Sequence, residues 1–271
     1  MNVDKKNQSD LLEKFDEENS AKKHLHGWNL KLVALVAISW SLFQLWYASP
    51  LPYILDFGKI IDVPARAIHL AFGMTLCFLI YPNLKSKKKT KISTLDFVFA
   101  FISLFATLYI FLDYEGLVYR QGILAKIEIG STLIPYELII GALGIILLLE
   151  ATRRAIGIPL VTIAIIFLLF SIFGQSMPDL ISHQGLSIKR LVGYHWFGGE
   201  AIFGIPISVS VSFIFLFVLF GAILDTAGGG KYFLNLAFAL VGKMRGGPAK
   251  AAILASGLTG LISGSSVANT V

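Results

Sequence analysis

Sulfur is nearly absent from this chain: beyond four methionines it has a single cysteine, Cys77, set inside an apolar run. Neither a disulfide framework nor a cysteine-ligated metal centre can be built from it. The histidines, at 24, 26, 69, 183 and 195, fall too far apart for H-E-x-x-H or related zinc spacings. The apolar part holds no paired carboxylates and no Ser/His/Asp set. Gly260-Leu261-Ile262-Ser263-Gly264 has the wrong spacing for a nucleophile elbow. Enzymatic chemistry is therefore unsupported. Gly228-Gly229-Gly230-Lys231 fails as a phosphate loop, because Asp225 stands where the first glycine belongs and Tyr232 follows the lysine.

Acidic residues are missing where lysines are densest. Lys85, Lys87, Lys88, Lys89 and Lys91 follow an apolar run with no carboxylate among them. Beside such a run they read as a topology signal, and the net charge of +6 does not point to nucleic acid. The first 27 residues do not look like a cleavable signal peptide, since they carry six acidic residues among their lysines. Residues 1–27 are expected to form a polar cytoplasmic tail.

What is abundant is apolar surface in clusters: 55% of residues are hydrophobic and the mean hydropathy is +0.73. A spanning helix needs about 20 such residues. Runs over 30–49, 64–81, 95–112 and 133–149 are expected to give four spans, with Trp28, Trp46 and Tyr47 as an aromatic belt around the first. Arg153 and Arg154 follow the fourth. They agree with the lysine cluster in placing the amino terminus and the 85–91 loop in the cytoplasm. A fifth span is expected over 156–174 and a sixth over 205–224, joined by a long external connection, 175–203, containing a helix lying on the bilayer surface.

Arg66, His69, Asp96, Glu137, Glu150 and Asp225 lie within a turn or two of span ends, where interface placement accounts for them. Glu137, slightly inside its span and beside Pro135, keeps a functional reading as well. The segment 233–241 is too short to cross. Gly246-Gly247-Pro248, flanked by Lys243, Arg245 and Lys250, reads as a cytoplasmic turn that starts a new helix at Pro248.

That last helix is the most informative stretch. Ala252, Ser256, Gly260 and Gly264 fall four apart, a stripe of small residues on which a neighbouring helix can pack closely. It runs into Ser263-Gly264-Ser265-Ser266-Val267-Ala268-Asn269-Thr270. Gly264 can open the helix, and backbone opened at membrane depth must be surrounded by protein or water, its carbonyls then free for a small cation. Ser263, Ser265, Ser266, Asn269 and Thr270 add the neutral oxygens that hard cations prefer. A Gly/Ser linker or an ordinary packed helix end is the competing reading of the same residues. The fold expected is an all-α polytopic membrane bundle with a re-entrant helical hairpin limb at its C-terminal end. It divides into the tail 1–27, a four-helix domain 28–154 and a second membrane domain 155–271.

Three ordered pieces carry a resemblance: Gly204-Ile205-Pro206 leading into Phe213 to Ala222, then Arg245-Gly246-Gly247-Pro248-Ala249-Lys250, then Ser263 to Asn269. Together they resemble the fused membrane subunit of tripartite ATP-independent periplasmic (TRAP) transporters, in the TAXI branch. The resemblance covers about residues 28–271 and is strongest from 200 onward. It implies the first part of an inverted-repeat elevator-type transporter, with a small-subunit-like front and the start of a large-subunit-like transport domain, and hence a chain that looks truncated. It also implies a permease of the bacterial inner membrane that imports organic acids. These are delivered by a periplasmic TAXI-type solute-binding protein and driven by sodium or protons, with no other cofactor. The family's hairpin tip matches Ser263 to Asn269 here. The alternatives are a non-transporting membrane scaffold subunit and the permease of an ATP-driven importer.

Overall fold

The computed structural model describes residues 23, 25–83, 91–120, 123–129 and 132–263. The chain folds as two compact units, Met1–Ser208 and Val209–Val271, so the boundary expected after residue 154 falls inside the first unit. It is an all-α, multi-pass membrane protein. Among the described residues, four helices are long and apolar enough to cross a bilayer: Trp28–Ala48, Asp62–Ile80, Thr94–Leu112 and Ile205–Leu224.

The first unit is built on α1 (Trp28–Ala48), α3 (Asp62–Ile80), α4 (Thr94–Leu112) and α6 (Tyr136–Ala155). Two short helices interrupt the connections, α2 (Leu51–Ile54) and α5 (Tyr114–Tyr119). The run of helices is antiparallel. Tyr47 near the end of α1 hydrogen-bonds Asp62 at the start of α3 (3.3 Å), and Lys23, ahead of α1, donates its backbone N–H to Ile80 at the end of α3 (2.8 Å). The start of α4 meets the end of α6, and the end of α4 meets the start of α6, through ion pairs described below.

The seam between these helices follows steps of four and three, with small residues at several of its positions. In α4 the buried positions include Asp96, Ala100, Ser103, Thr107 and Ile110; in α3 they include Ala67, Ala71, Met74 and Phe78. In α6 they include Glu137, Gly141, Gly144, Leu147, Ala151 and Arg154. This is the spacing of left-handed helix packing, and small side chains let the backbones approach where lipid supplies no competing hydrophobic drive. Ser103 and Thr107 satisfy their hydroxyls on the carbonyls of Ala100 (2.9 Å) and Ser103 (2.7 Å), so the polar seam costs no unpaired group there.

Two expectations are corrected. The helix of the fourth run, expected over 133–149, starts at Tyr136 instead: Leu133 and Ile134 belong to an antiparallel ribbon, β1 (Ile127–Ile129) with β2 (Thr132–Ile134), in register Glu128 opposite Leu133. The β-branched alternation there is strand chemistry, and Pro135 ends it before α6 begins. The fifth run is α7 (Ile158–Ile172), 15 residues and about 22 Å long, short of a hydrocarbon core of about 30 Å.

The connection after α7 packs in part on the bundle. Its helix α8 (Ile188–Val192) continues into a widened π-type turn, Gly193–Phe197, and buries Leu191, Val192 and Trp196 against α6. His183 secures its entry: it accepts the Gly185 N–H on Nδ1 (3.1 Å), which leaves Nε2 to donate to the Phe170 carbonyl (3.0 Å).

Past α9 (Ile205–Val209) and a second π-type turn, Ser210–Ile214, the second unit comprises α10 (Phe215–Thr226), α11 (Gly229–Val241) and α12 (Gly247–Ser263). The last two form a helical hairpin whose packed face is Ala237, Ala251 and Ala255, with Val241 alongside. Gly228 (φ 86°) and Gly246 (φ 75°) occupy left-handed backbone at its two breaks, the region where a side chain is strained.

Candidate functional site

The candidate site is the hairpin limb of the second unit; the first unit's bundle carries ion pairs at both of its ends. In the hairpin, the Gly247 N–H closes on the Met244 carbonyl (2.7 Å), and Pro248 occupies the first turn of α12, where a missing N–H costs least. The helix start expected at Pro248 is thus one residue early, at Gly247. α12 is 17 residues, about 25 Å, and its described part ends at Ser263. Gly264, Ser265, Ser266, Asn269 and Thr270 lie outside the described residues, as do Lys85, Lys87, Lys88 and Lys89.

The small-residue stripe is divided by the fold. Ala252 is exposed and Ser256 and Gly260 are half-buried, while the neighbouring positions Ala251 and Ala255 pack on α11. Helix α12 packs the row of Ala251 and Ala255 on its hairpin partner.

At one end of the first unit, Asp96 is 1% exposed and binds two cations: Lys23 Nζ at 2.7 Å and Arg154 Nη1 at 2.7 Å. The sequence places Asp96 at an interface; instead the fold buries it. Its carboxylate also accepts the Ser93 N–H (3.2 Å), the reach-back bond of a capping box. Lys23 further donates to the carbonyls of Phe78 (3.0 Å) and Leu79 (3.2 Å), satisfying the last turn of α3 at its negative dipole end. Arg154 lies over the rings of Phe78 (4.9 Å) and Phe99 (5.4 Å) and pairs with Glu150 (2.7 Å). Arg153 takes Glu150 (2.7 Å) and the carbonyl and side chain of Asn83 (both 2.8 Å). Lys91 is exposed just ahead of α4.

At the opposite end, Glu137 is 0% exposed and receives Arg120, the Tyr109 hydroxyl (2.7 Å) and the Ala125 backbone N–H. Arg120 also binds Asp113 (2.7 Å), and that hydrogen bond holds the Asp113 carboxyl below its usual value against a smaller opposing effect of burial. Glu137 thus fastens the loop that follows α5 onto the bundle.

Arg66 and His69 are not free at an interface. Arg66 donates to the Phe203 carbonyl (2.9 Å), and the Trp40 indole N–H donates to His69 Nδ1 (3.2 Å). The partners of Arg66 and His69 are set by packing between segments 137 and 29 residues apart in the chain. No group of three or more metal-ligating side chains occurs among the described residues.

Residues 143–271 match the family model of the tripartite ATP-independent periplasmic transporter, DctM component. The match begins inside α6 and takes in Trp196 and all of the second unit, so on this stretch the chain is similar to a membrane permease component. The chain is also 36% identical over 135 residues to an uncharacterized protein of Salmonella typhimurium, YgiK. That alignment covers 50% of this chain and 26% of YgiK, so the chain spans about a quarter of the length of this relative. No solved structure matches.

Proposed function

We propose that this chain is a membrane permease component of a TRAP-type secondary transporter, in the TAXI branch, importing small organic acids across the bacterial inner membrane. The observation that carries this reading is the similarity of residues 143–271 to the DctM component. A periplasmic TAXI-type solute-binding protein supplies the substrate, and a sodium or proton gradient drives its entry. The amino terminus and the 85–91 loop face the cytoplasm. Supporting that orientation, Lys91, Arg153 and the start of α1 share one end of the antiparallel bundle.

The ion site in this proposal is the hairpin tip, Ser263 to Thr270, reached by α12. Gly264 frees backbone carbonyls, and Ser263, Ser265, Ser266, Asn269 and Thr270 surround them with neutral oxygens. A bound ion stabilises the state that binds it, by about 2.7 kcal/mol at a hundredfold excess over its dissociation constant. Thermal unfolding of the purified full-length protein in sodium against choline, at matched ionic strength, reads this directly. The wild type should melt higher in sodium and Asn269→Ala should lose most of the difference. Identical melting of both proteins in both salts removes the sodium site and leaves proton coupling or a structural limb.

A further inference from the structure

A cleft of about 430 Å³ opens at the amino-terminal end of α1, lined by His26, Trp28, Asn29 and Lys91. Among the described residues its lining holds a lysine, an imidazole, a carboxamide and an indole, and no carboxylate. The first turn of α1 has no acidic residue, and among the described residues no side chain caps it, so the positive end of the helix dipole adds to the same field. The walls are held in place from below. Leu25, next to His26, and Ile92, next to Lys91, are both buried in the bundle's hydrophobic core. Lys23 ties the same segment to α3 by its backbone N–H (2.8 Å to Ile80) and its Nζ.

The depth of the cleft follows from the length of α1. Its 21 residues span about 31 Å, close to the hydrocarbon thickness of about 30 Å, which puts its first residue, Trp28, at headgroup level. Trp28 is 77% exposed there, as an interfacial tryptophan is. From it an exposed apolar face, Leu35, Ile38 and Leu42, runs along the helix.

We propose that this cleft seats the phosphate headgroup of an acidic phospholipid such as phosphatidylglycerol, with its acyl chains lying along the exposed face of α1. Lys91 supplies charge and, with His26, hydrogen bonds to the phosphate, Asn29 bonds a headgroup hydroxyl, and Trp28 packs on the glycerol region. Free phosphate satisfies the polar half of the cleft only. A lipid satisfies the polar and the apolar halves together.

Native mass spectrometry of the full-length protein, titrated in detergent with phosphatidylglycerol, phosphatidylcholine or inorganic phosphate, tests the assignment. Wild type should retain phosphatidylglycerol in preference to phosphatidylcholine. Lys91→Gln, at an exposed position that leaves the core untouched, should weaken that retention about fivefold, the equivalent of one cation near a lipid surface. Trp28→Leu should weaken both lipids, and Lys59→Gln, at the other end of the bundle, should change nothing. Equal retention of the two lipids by the wild type, or an unaltered Lys91→Gln, overturns the proposal. So does displacement of the lipid by inorganic phosphate at equal concentration, which marks a site for soluble anions.

Discussion

Trp196 occupies the space that a side chain at residue 144 would need. A Cβ built on Gly144 would lie 2.2 Å from Trp196 Cζ2, and the indole N–H reaches past it to the Ala106 carbonyl at 3.2 Å. One ring thus joins the connection after α7 to α6 and α4 together, and Gly141 repeats the arrangement one turn away beneath Val192 and Phe197.

From this contact, Gly144→Ala should destabilise the first unit by about 1–3 kcal/mol, because backbone or a buried indole has to move. Gly73→Ala is the matched control: a Cβ there meets only Trp40 Cη2, at an ordinary 3.7 Å. Thermal unfolding in detergent should separate the two variants clearly. Equal melting temperatures would show that Trp196 shifts without cost.

Asp96→Asn leaves Lys23 and Arg154 buried without their shared counter-charge, for an expected loss of about 3–5 kcal/mol. By contrast Asp62→Asn breaks an exposed contact with Arg66 at 3.4 Å and should cost about 1 kcal/mol at most. Limited proteolysis adds a local readout, since loss of the Lys23 anchor should speed cleavage ahead of α1 before the bundle unfolds. A stable Asp96→Asn with unchanged cleavage would refute the anchoring role.

The Asp113 carboxyl is depressed by Arg120, so its contribution to stability is present above its unfolded value of about 3.9 and is lost as pH falls through the lower folded value. The advantage of wild type over Asp113→Asn should therefore be flat from about pH 5 upward and shrink below about pH 4. Denaturation midpoints over that range measure it. An advantage that grows on acidification would contradict the sign.

For topology, single cysteines at Lys88 and Gln121 in a Cys77→Ala background should label from opposite sides of the membrane. Ion pairing sets α4 antiparallel to α6, so the segments at their two ends must emerge on different faces. Gln121→Cys is expected to react with an impermeant reagent from outside, and Lys88→Cys only after permeabilisation. Reaction of Lys88→Cys in sealed cells would reverse the orientation.

The sequence alone determined the membrane class, because a run of about 20 apolar residues can satisfy its backbone in lipid only as a helix. It placed α1, α3, α4 and the 205–224 helix within two residues, and located the glycine turn before α12, since these depend on local hydropathy and on proline and glycine geometry. Tertiary structure decided what periodicity cannot rank: which charge is buried. Asp96 and Glu137 sit at helix ends like Glu150, yet only their cations on distant segments, Lys23, Arg154 and Arg120, make burial tolerable. The same holds for the connection after α7, whose apolar residues fit a surface helix until Gly144 offers Trp196 a place against α6. On α12, two rows of small residues one position apart are equivalent in sequence, and the presence of α11 assigned Ala251 and Ala255 to the contact.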